Sequence, residues 1–197
     1  VALGDADRRL LDVGTGTGVI ALMLAQRAPE ARITALDIDA ACIAQARGNA
    51  DRSPWSGRVE TLCMPVQEYR TDAPFDLLVS NPPYYDRSLL PPDAGRATAR
   101  HTVTLSYGEL IAAANCLLAP EGRLAVILPA AESGRFRSQA RGRFALRRLT
   151  EVWSTPRSGV KRCLMEFARG GEPTAEPDRL VIGEAPDRFT EEYRLSL

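Results

Sequence analysis

Short apolar runs alternate with stretches of helical periodicity along the first two thirds of the chain, and this order permits few architectures. In chain order, the predicted elements are a strand at 9–13, a helix at 19–27, a strand at 31–38, a helix at 40–51, strands at 58–64 and 75–80, a helix at 107–118 and a strand at 123–129. Such alternation indicates βαβ units, in which parallel strands form one sheet and helices lie on its faces. We therefore predict an α/β fold.

The predicted strands show little alternation of polar and apolar residues. The segments 77–79 (Leu-Leu-Val) and 125–128 (Ala-Val-Ile-Leu) are apolar at every position, which is typical of strands that helices cover on both faces. Later runs at 144–153 and 162–168 predict a β-hairpin, and 179–182 predicts a short edge strand. The predicted fold is a doubly wound, mostly parallel seven-stranded sheet of the Rossmann-like type with a terminal antiparallel hairpin.

The composition fits one globular domain over residues 1–197, because 45% of these residues are hydrophobic and a chain of this length can bury a stable core. No membrane span or signal peptide is evident in the sequence, which predicts a cytoplasmic protein. The chain starts at Val1 close to the first strand, so we expect that an N-terminal segment is missing.

Four scattered cysteines without a Cys-x-x-Cys pair predict reduced core thiols and no metal site.

A glycine-rich turn, Gly14-Thr15-Gly16-Thr17-Gly18, separates the first strand from the first helix. Glycines allow a tight turn and let backbone N–H groups approach a ligand, so Gly14, Gly16 and Gly18 are candidate cofactor-binding residues. The spacing Gly16-x-Gly18-x-x-Ala21 also satisfies the dinucleotide pattern. The loop alone therefore does not identify the cofactor.

Acidic residues lie on both sides of this turn. Asp12, two residues before the first glycine, disfavours a pyrophosphate and could engage an ammonium group. Asp37 ends the second strand, where a carboxylate can accept both ribose hydroxyls of either S-adenosylmethionine or NAD. Alternatively, Asp12 caps the turn and Asp37 or Asp39 caps the next helix. We predict Asp37 as the ribose ligand and Asp39 as the helix cap.

The fourth strand runs directly into Asn81-Pro82-Pro83-Tyr84 at its carboxyl end, the end that faces the ligand crevice in a doubly wound sheet. An amine attached to a purine ring or a carbonyl shares its lone pair with the π-system and is a poor nucleophile. The Asn81 side-chain oxygen and the Pro82 carbonyl can accept its two N–H groups and direct the lone pair at a sulfonium methyl group. The prolines stiffen the loop, and Tyr84 can stack on a flat substrate. An ordinary turn is the alternative interpretation.

At these residues the chain resembles class I S-adenosylmethionine-dependent amino-methyltransferases, and over nearly its whole length it resembles bacterial tRNA1(Val) adenine-N6 methyltransferases. The matching segments are 11–18, 22–27, 53–55, 75–85 and 178–182. The resemblance implies N6-methylation of an adenosine in tRNA, position 37 just 3′ of the anticodon. It also implies S-adenosylmethionine as cofactor without a metal, tRNA as partner and no obligate protein partner.

The resemblance also assigns roles to particular residues. It implies that the cofactor is contacted by Asp12, Gly14, Gly16 and Asp37. It implies that the substrate amine is contacted by Asn81, Pro82 and Tyr84. The chain departs from the family at Met64-Pro65, where an acidic residue usually binds the cofactor's adenine amine. The Val66 backbone N–H could contact that adenine instead. We also expect that the family's N-terminal segment, which helps cover the cofactor, is missing from this sequence.

Basic residues are concentrated in the middle of the chain. Residues 81–169 carry 14 basic and 7 acidic side chains, although the whole chain has 25 of each. Two arginine groups stand out: Arg87, Arg96 and Arg100, and then Arg135, Arg137, Arg141, Arg143, Arg147 and Arg148. Guanidinium groups bind phosphates and stack on unpaired bases, although a solvated helix face explains the second group nearly as well. The predicted RNA contacts are Tyr85, Arg87, Arg100, Arg135 and Arg137.

Three other functions remain open from the residues alone. A protein glutamine N5-methyltransferase, or another rRNA or DNA amino-methyltransferase, would share the fold, the cofactor and the Asn-Pro-Pro-Tyr loop. An NAD-dependent oxidoreductase would use the glycine loop and Asp37, but this function leaves the Asn-Pro-Pro-Tyr loop unexplained. A non-catalytic RNA-binding module is the third. The single histidine, His101, follows Arg100 in a predicted loop, and we assign it no catalytic role.

Overall fold

The computed structural model describes residues 3–82, 105–171, 173, 175–185 and 188–196. Its strands are β1 (Arg9–Val13), β2 (Arg32–Asp37), β3 (Val59–Cys63), β4 (Phe75–Ser80), β5 (Leu118–Pro129), β6 (Phe144–Trp153), β7 (Val160–Arg169), β8 (Pro177–Val181), β9 (Gly183–Ala185) and β10 (Arg188–Phe189). Its helices are α1 (Val19–Arg27), α2 (Ala40–Asp51), α3 (Tyr107–Leu117), α4 (Ala130–Ala140) and α5 (Glu191–Ser196), with a 3-10 turn at Ser56–Arg58.

The main sheet has the strand order β3-β2-β1-β4-β5-β7-β6-β8. Strands β1 to β5 pair in parallel, whereas β7 runs antiparallel to both β5 and β6. The predicted doubly wound, mostly parallel fold is therefore confirmed. An eighth strand, β8, pairs in parallel with β6 where the sequence predicted a short edge strand. A separate antiparallel hairpin, β9 and β10, follows it.

Helices α3 and α4 cover one face of the sheet. Side chains from both helices, such as Ile111 and Phe136, join the buried cluster that includes Leu124, Val126 and Phe167. On this face the apolar runs are buried as predicted.

On the opposite face, α1 packs over β1 and β4 through Ala21 and Leu24. Beyond α1, an apolar groove of about 590 Å³ lies over β5 and β7 and is lined by Met23, Ile127 and Leu164 among others. Within the part of the chain that the structure describes, the prediction of helices on both faces is thus confirmed at β1 and β4. At β5 and β7 one face is left open by the groove.

A charged cluster ties the segment before β1 to the far strands. Arg123, at the start of the central part of β5, forms ion pairs with Asp7 and, at 3.0 Å, with Glu166 on β7. Asp7 is 8% exposed and also accepts a hydrogen bond from the Gly4 N–H at 2.8 Å. Because the two carboxylates are largely shielded from water, they depend on the guanidinium for their charge balance.

The predicted environment of the cysteines is only partly correct. Cys163 is buried, Cys42 is half-buried, and Cys63 and Cys116 are exposed. The prediction of core thiols fails for the last two because Cys63 ends an edge strand that is mostly solvent-accessible and Cys116 lies on the outer face of α3. In the described ranges, no group of three metal-ligating side chains is found, and no helix is both long and apolar enough to cross a bilayer.

Candidate functional site

Three adjacent strands end side by side at the carboxyl edge of the sheet, and each has a candidate residue at its end or directly after it. Val13 of β1 pairs with Leu36 of β2 and with Ser80 of β4. The next residue on each strand is therefore Gly14, Asp37 or Asn81. The sequence predicted all three as site residues, and the strand register brings them to one edge in the order Asp37, Gly14, Asn81.

The glycine loop crosses this edge in a conformation that favours glycine. The φ angles of Gly14 and Gly16 are +72° and +56°, in the left-handed region that other residues rarely adopt. A Cβ atom built on either residue would meet no heavy atom within 4 Å. The N–H groups of Gly14 and Thr15 both donate to the Leu36 carbonyl, at 2.9 and 3.0 Å. The loop is thus fixed over the end of β2, with open space on its outer side.

Gly18 packs closely against the neighbouring helix, whereas Gly14 and Gly16 border open space. Its φ is +84°, it is the N-cap of α1, and an added Cβ would lie 3.1 Å from the Cβ of Ala46 on α2. On the same helix, Asn49 donates from Nδ2 to the Thr17 carbonyl at 2.9 Å. Sequence reasoning missed Asn49, because nothing in its surroundings distinguishes it from other polar residues of an exposed helix face.

The carboxylate of Asp37 links the glycine loop to the next helix. It accepts hydrogen bonds from the Gly16 N–H at 2.8 Å and from the Asp39 N–H at 3.0 Å. Each oxygen retains a lone pair for a further donor. Asp39 accepts from the N–H groups of Ala41 and Cys42, which confirms it as the N-cap of α2. Asp37 is consequently oriented by backbone contacts and remains half-exposed at the edge.

Asp12 lies beneath the loop and is completely buried. Its Oδ2 accepts a hydrogen bond from the Thr15 hydroxyl at 2.6 Å, while its Oδ1 is buried without a hydrogen-bond partner among the described residues. Burial raises the pKa of Asp12 to about 6, although hydrogen bonds from the Thr15 hydroxyl and from the Ala21 backbone N–H lower it, and the nearby charge of Asp37 raises it slightly further. An unpaired buried carboxylate oxygen is uncommon in proteins and calls for a donor or a cation.

Asn81 and Pro82 follow β4, a strand with five of its six residues buried. Ser80 is 0% exposed, and its hydroxyl donates to the Val13 carbonyl at 2.7 Å, which fixes the end of β4 against β1. The next residue, Asn81, is exposed, and Pro82 is buried. Ser80 was not predicted, although a polar residue that ends an apolar strand is a signal that could have identified it. Residues 83–104 lie outside the described ranges, and so do the predicted site residues Tyr84, Tyr85, Arg87 and Arg100.

The segment after β3 forms the other side of the edge. The Met64 N–H donates to the Asp37 carbonyl at 2.9 Å, and Val66 is 5% exposed with its side chain in the core. Ile38, directly after Asp37, is 46% exposed. Sequence reasoning did not select Ile38, yet an exposed isoleucine beside a carboxylate offers an apolar surface for a flat ring.

The arginines of the second basic group do not form one surface. Arg135 and Arg137 are exposed on α4, which begins at the carboxyl end of β5. Arg141 and Arg143, also exposed, follow the far end of that helix. Arg135 is 3.8 Å from Glu132, and its guanidinium lies 5.8 Å from the centroid of the Tyr107 ring.

The remaining two arginines of this group have structural contacts. Arg147 donates to the Gly170 carbonyl at 2.8 Å. Arg148 lies 3.9 Å from Asp178 of β8. Of the six arginines, Arg135 and Arg137 lie on the helix that begins at the edge of the sheet where Asn81 lies.

The known proteins that this chain resembles in sequence are described as methyltransferases. Residues 2–133 match the family described as methyltransferase small domain. A Bacteroides fragilis protein named tRNA1(Val) (adenine(37)-N6)-methyltransferase is 38% identical over 194 residues, which cover 96% of this chain and 81% of that protein. A Phocaeicola vulgatus protein of the same name is 40% identical over 197 residues, covering 96% and 84%.

A solved structure supports the fold. The crystal structure of a predicted O-methyltransferase from Agrobacterium tumefaciens superposes with a TM-score of 0.77 at 21% identity, covering 97% of this chain and 88% of that one. At this identity the likeness concerns the arrangement of the strands and helices.

Proposed function

Since the chain belongs to the methyltransferase small-domain family, and within it to the proteins named tRNA1(Val) (adenine(37)-N6)-methyltransferase, we propose that it transfers the methyl group of S-adenosylmethionine to the N6 amine of an adenosine in tRNA. The proposed target is the adenosine 3′ of the anticodon, as the relatives' name states for them. A tRNA substrate would place this reaction in the cytoplasm.

The observation that carries the proposal is the succession of Asp37, Gly14 and Asn81 at the ends of three neighbouring strands. Neighbouring strands are about 5 Å apart, so these residues span about 10 Å. This span matches a cofactor that lies across the glycine loop, with its ribose near Asp37 and its reactive methyl group near Asn81. An oxidoreductase function would leave the position of Asn81 unexplained.

The residues at the edge fit S-adenosylmethionine. The open space over Gly14 and Gly16 admits a ligand against the backbone, and the half-exposed carboxylate of Asp37 can accept ribose hydroxyls. The buried negative charge of Asp12 suits the ammonium group of an amino-acid tail and opposes a pyrophosphate. Exposed Ile38 and the backbone N–H of Val66, both on the β3 side of the edge, would contact the adenine. When bound, the cofactor supplies an electrophilic methyl group on a sulfonium.

The residues after β4 would prepare the nucleophile. In the proposed mechanism the Asn81 side-chain oxygen and the Pro82 carbonyl each accept one N–H of the adenine amine. These hydrogen bonds make the nitrogen more tetrahedral and localise its lone pair, which then points at the methyl group. Pro82 fixes its own φ and restricts Asn81 to extended backbone, so the acceptors are positioned before the substrate arrives. The extra proton passes to solvent, and no strong base is needed.

The direct test of this function is a methylation assay with labelled S-adenosylmethionine and total tRNA, followed by nucleoside analysis. We expect label in N6-methyladenosine, and loss of labelling when the tRNA already carries the methyl group. Labelled N5-methylglutamine in a protein fraction, with unlabelled tRNA, would instead identify the chain as a protein methyltransferase. Binding of NADH without binding of S-adenosylhomocysteine would exclude both.

We further propose that Arg135 and Arg137 contact the phosphates of the RNA. They lie about 8 to 10 Å along α4 from its start, whereas Arg141 and Arg143 follow its far end, at least about 16 Å from that start. Replacing Arg135 and Arg137 by alanine should weaken tRNA binding about 5- to 20-fold at low salt and reduce the slope of log affinity against log salt by about 2.

The matched control is the double alanine variant of Arg141 and Arg143, which removes the same charge from positions that follow the end of the helix. It should change affinity less than about 3-fold at the same salt concentration. Equal losses in the two variants, measured by fluorescence anisotropy with an anticodon stem-loop, would show a nonspecific effect of net charge and contradict the assignment.

A further inference from the structure

The most unusual buried polar group of the site is the Oδ1 atom of Asp12. The side chain is 0% exposed, and this oxygen has no hydrogen-bond partner among the described residues. The other oxygen has one side-chain contact, the 2.6 Å hydrogen bond from the Thr15 hydroxyl. Thr15 is itself 7% exposed and belongs to the loop that crosses above the carboxylate. The pair therefore lies directly under the surface on which the proposed cofactor would rest.

The surroundings of the carboxylate contain little charge. The residues that pair with Asp12 on the flanking strands are Ala35 on β2 and Val79 on β4, and the first turn of α1 contains no acidic residue. The charged group that faces it is Asp37 at the end of β2, which has the same sign. Burial and this like charge both favour the protonated, neutral form. Two hydrogen bonds favour the ionised form, the larger contribution coming from the Thr15 hydroxyl and the smaller from the backbone N–H of Ala21.

We propose that Thr15 is a positioning residue for recognition of the cofactor's amino-acid tail, because its hydroxyl holds Asp12 as a carboxylate under the loop. The negative charge is shielded from water, so it acts across the thin glycine backbone on an ammonium group above it. This inference rests on the proposed use of S-adenosylmethionine. It adds that binding of the tail is coupled to the ionisation of Asp12 and that Thr15 sets the pH at which this coupling appears.

The sign of the pH dependence follows from linkage. A ligand that carries a positive charge binds the ionised form of Asp12 better, so binding lowers the pKa of this carboxyl from its unliganded value of about 6. Affinity is therefore highest above pH 6 and falls up to about tenfold per pH unit below it. Loss of the Thr15 hydrogen bond raises the unliganded pKa, so the decline begins at a higher pH.

The test measures binding of S-adenosylhomocysteine by calorimetry from pH 5 to pH 8 in the wild type, Thr15→Val and Thr15→Ser. We expect the midpoint of the affinity loss in Thr15→Val to move upward by about one pH unit, as loss of a hydrogen bond to a charged group requires. Thr15→Ser keeps the hydroxyl and should retain the wild-type midpoint. A parallel titration with 5′-methylthioadenosine, which lacks the amino-acid tail, should show little pH dependence.

The possible outcomes are separable. A pH-independent affinity for S-adenosylhomocysteine, or the same midpoint in Thr15→Val and wild type, would overturn the role of Thr15 while leaving the cofactor assignment intact. Absence of S-adenosylhomocysteine binding at pH 8 in a wild type that unfolds cooperatively would overturn the proposed function and this inference together. If the Thr15→Val variant does not fold, the wild type and Thr15→Ser can still be titrated with the two ligands. Equal pH profiles for S-adenosylhomocysteine and 5′-methylthioadenosine would then refute the proposal.

Discussion

Replacing Asn81 by alanine should lower the rate of methyl transfer in a single turnover by about 10² to 10³, comparable to the loss of one well-placed hydrogen-bonding group in a preorganised active site. The side-chain oxygen of Asn81 is one of the two acceptors proposed to localise the lone pair of the amine. Without it, the amine stays conjugated with the ring and the lone pair is poorly directed. The assay uses an anticodon stem-loop and excess enzyme, with formation of N6-methyladenosine as the readout.

The controls for this experiment follow from the exposure of Asn81. Because its side chain is at the surface, Asn81→Ala should change the free energy of unfolding by no more than about 0.5 kcal/mol. Its affinity for S-adenosylhomocysteine should stay within about twofold of wild type. Asn81→Asp should lose less activity than Asn81→Ala, since a carboxylate still accepts from the amine. Wild-type turnover in Asn81→Ala would show that the proposed mechanism is wrong.

Replacing Arg123 by leucine should lower the free energy of unfolding by about 2–4 kcal/mol, the largest effect on stability that we expect from a single charge. The change leaves Asp7 and Glu166 buried or nearly buried without their cation. The estimate lies below that for a fully buried pair because 22% of the Arg123 side chain remains exposed. Urea unfolding followed by circular dichroism provides the measurement.

The matched control is Arg188→Leu, which removes an exposed ion pair with Glu184 at 2.8 Å. Surface pairs contribute between zero and about 1 kcal/mol, so this variant should be close to wild type. The double variant Arg123→Leu, Glu166→Leu should recover part of the loss, since one uncompensated carboxylate is then gone. Equal stability of Arg123→Leu and Arg188→Leu would contradict the importance of the buried cluster.

The sequence predicted the parallel strands and the glycine loop well because both follow from local rules. Apolar runs of five or six residues predicted β1 and β4 at Arg9–Val13 and Phe75–Ser80, with the same bounds as in the structure. Asp39 was predicted as a helix cap from its position alone. The edge shared by Asp37, Gly14 and Asn81 was also predictable, since the carboxyl ends of parallel strands meet.

Other features depend on contacts between distant residues and could not be predicted. The hydrogen bond from Asn49 to the Thr17 carbonyl spans 32 positions, and the pairing of Arg123 with Asp7 spans 116. Neither contact has a periodic or composition-based signal. The burial of Asp12 was also missed, because a carboxylate near a glycine loop is usually expected to face the ligand rather than lie under the backbone.

Both edges of the main sheet carry features that hinder pairing with strands of other molecules. At one edge, β8 begins with Pro177, which has no N–H to donate, and continues with the exposed charged residues Asp178 and Arg179. At the other edge, Arg47 of α2 extends to the Thr61 carbonyl of β3, at 3.5 Å. Proline, charge and side-chain cover are the means by which proteins prevent edge-to-edge aggregation. These edge features therefore allow the sheet to contain strongly apolar central strands without adding strands from other molecules.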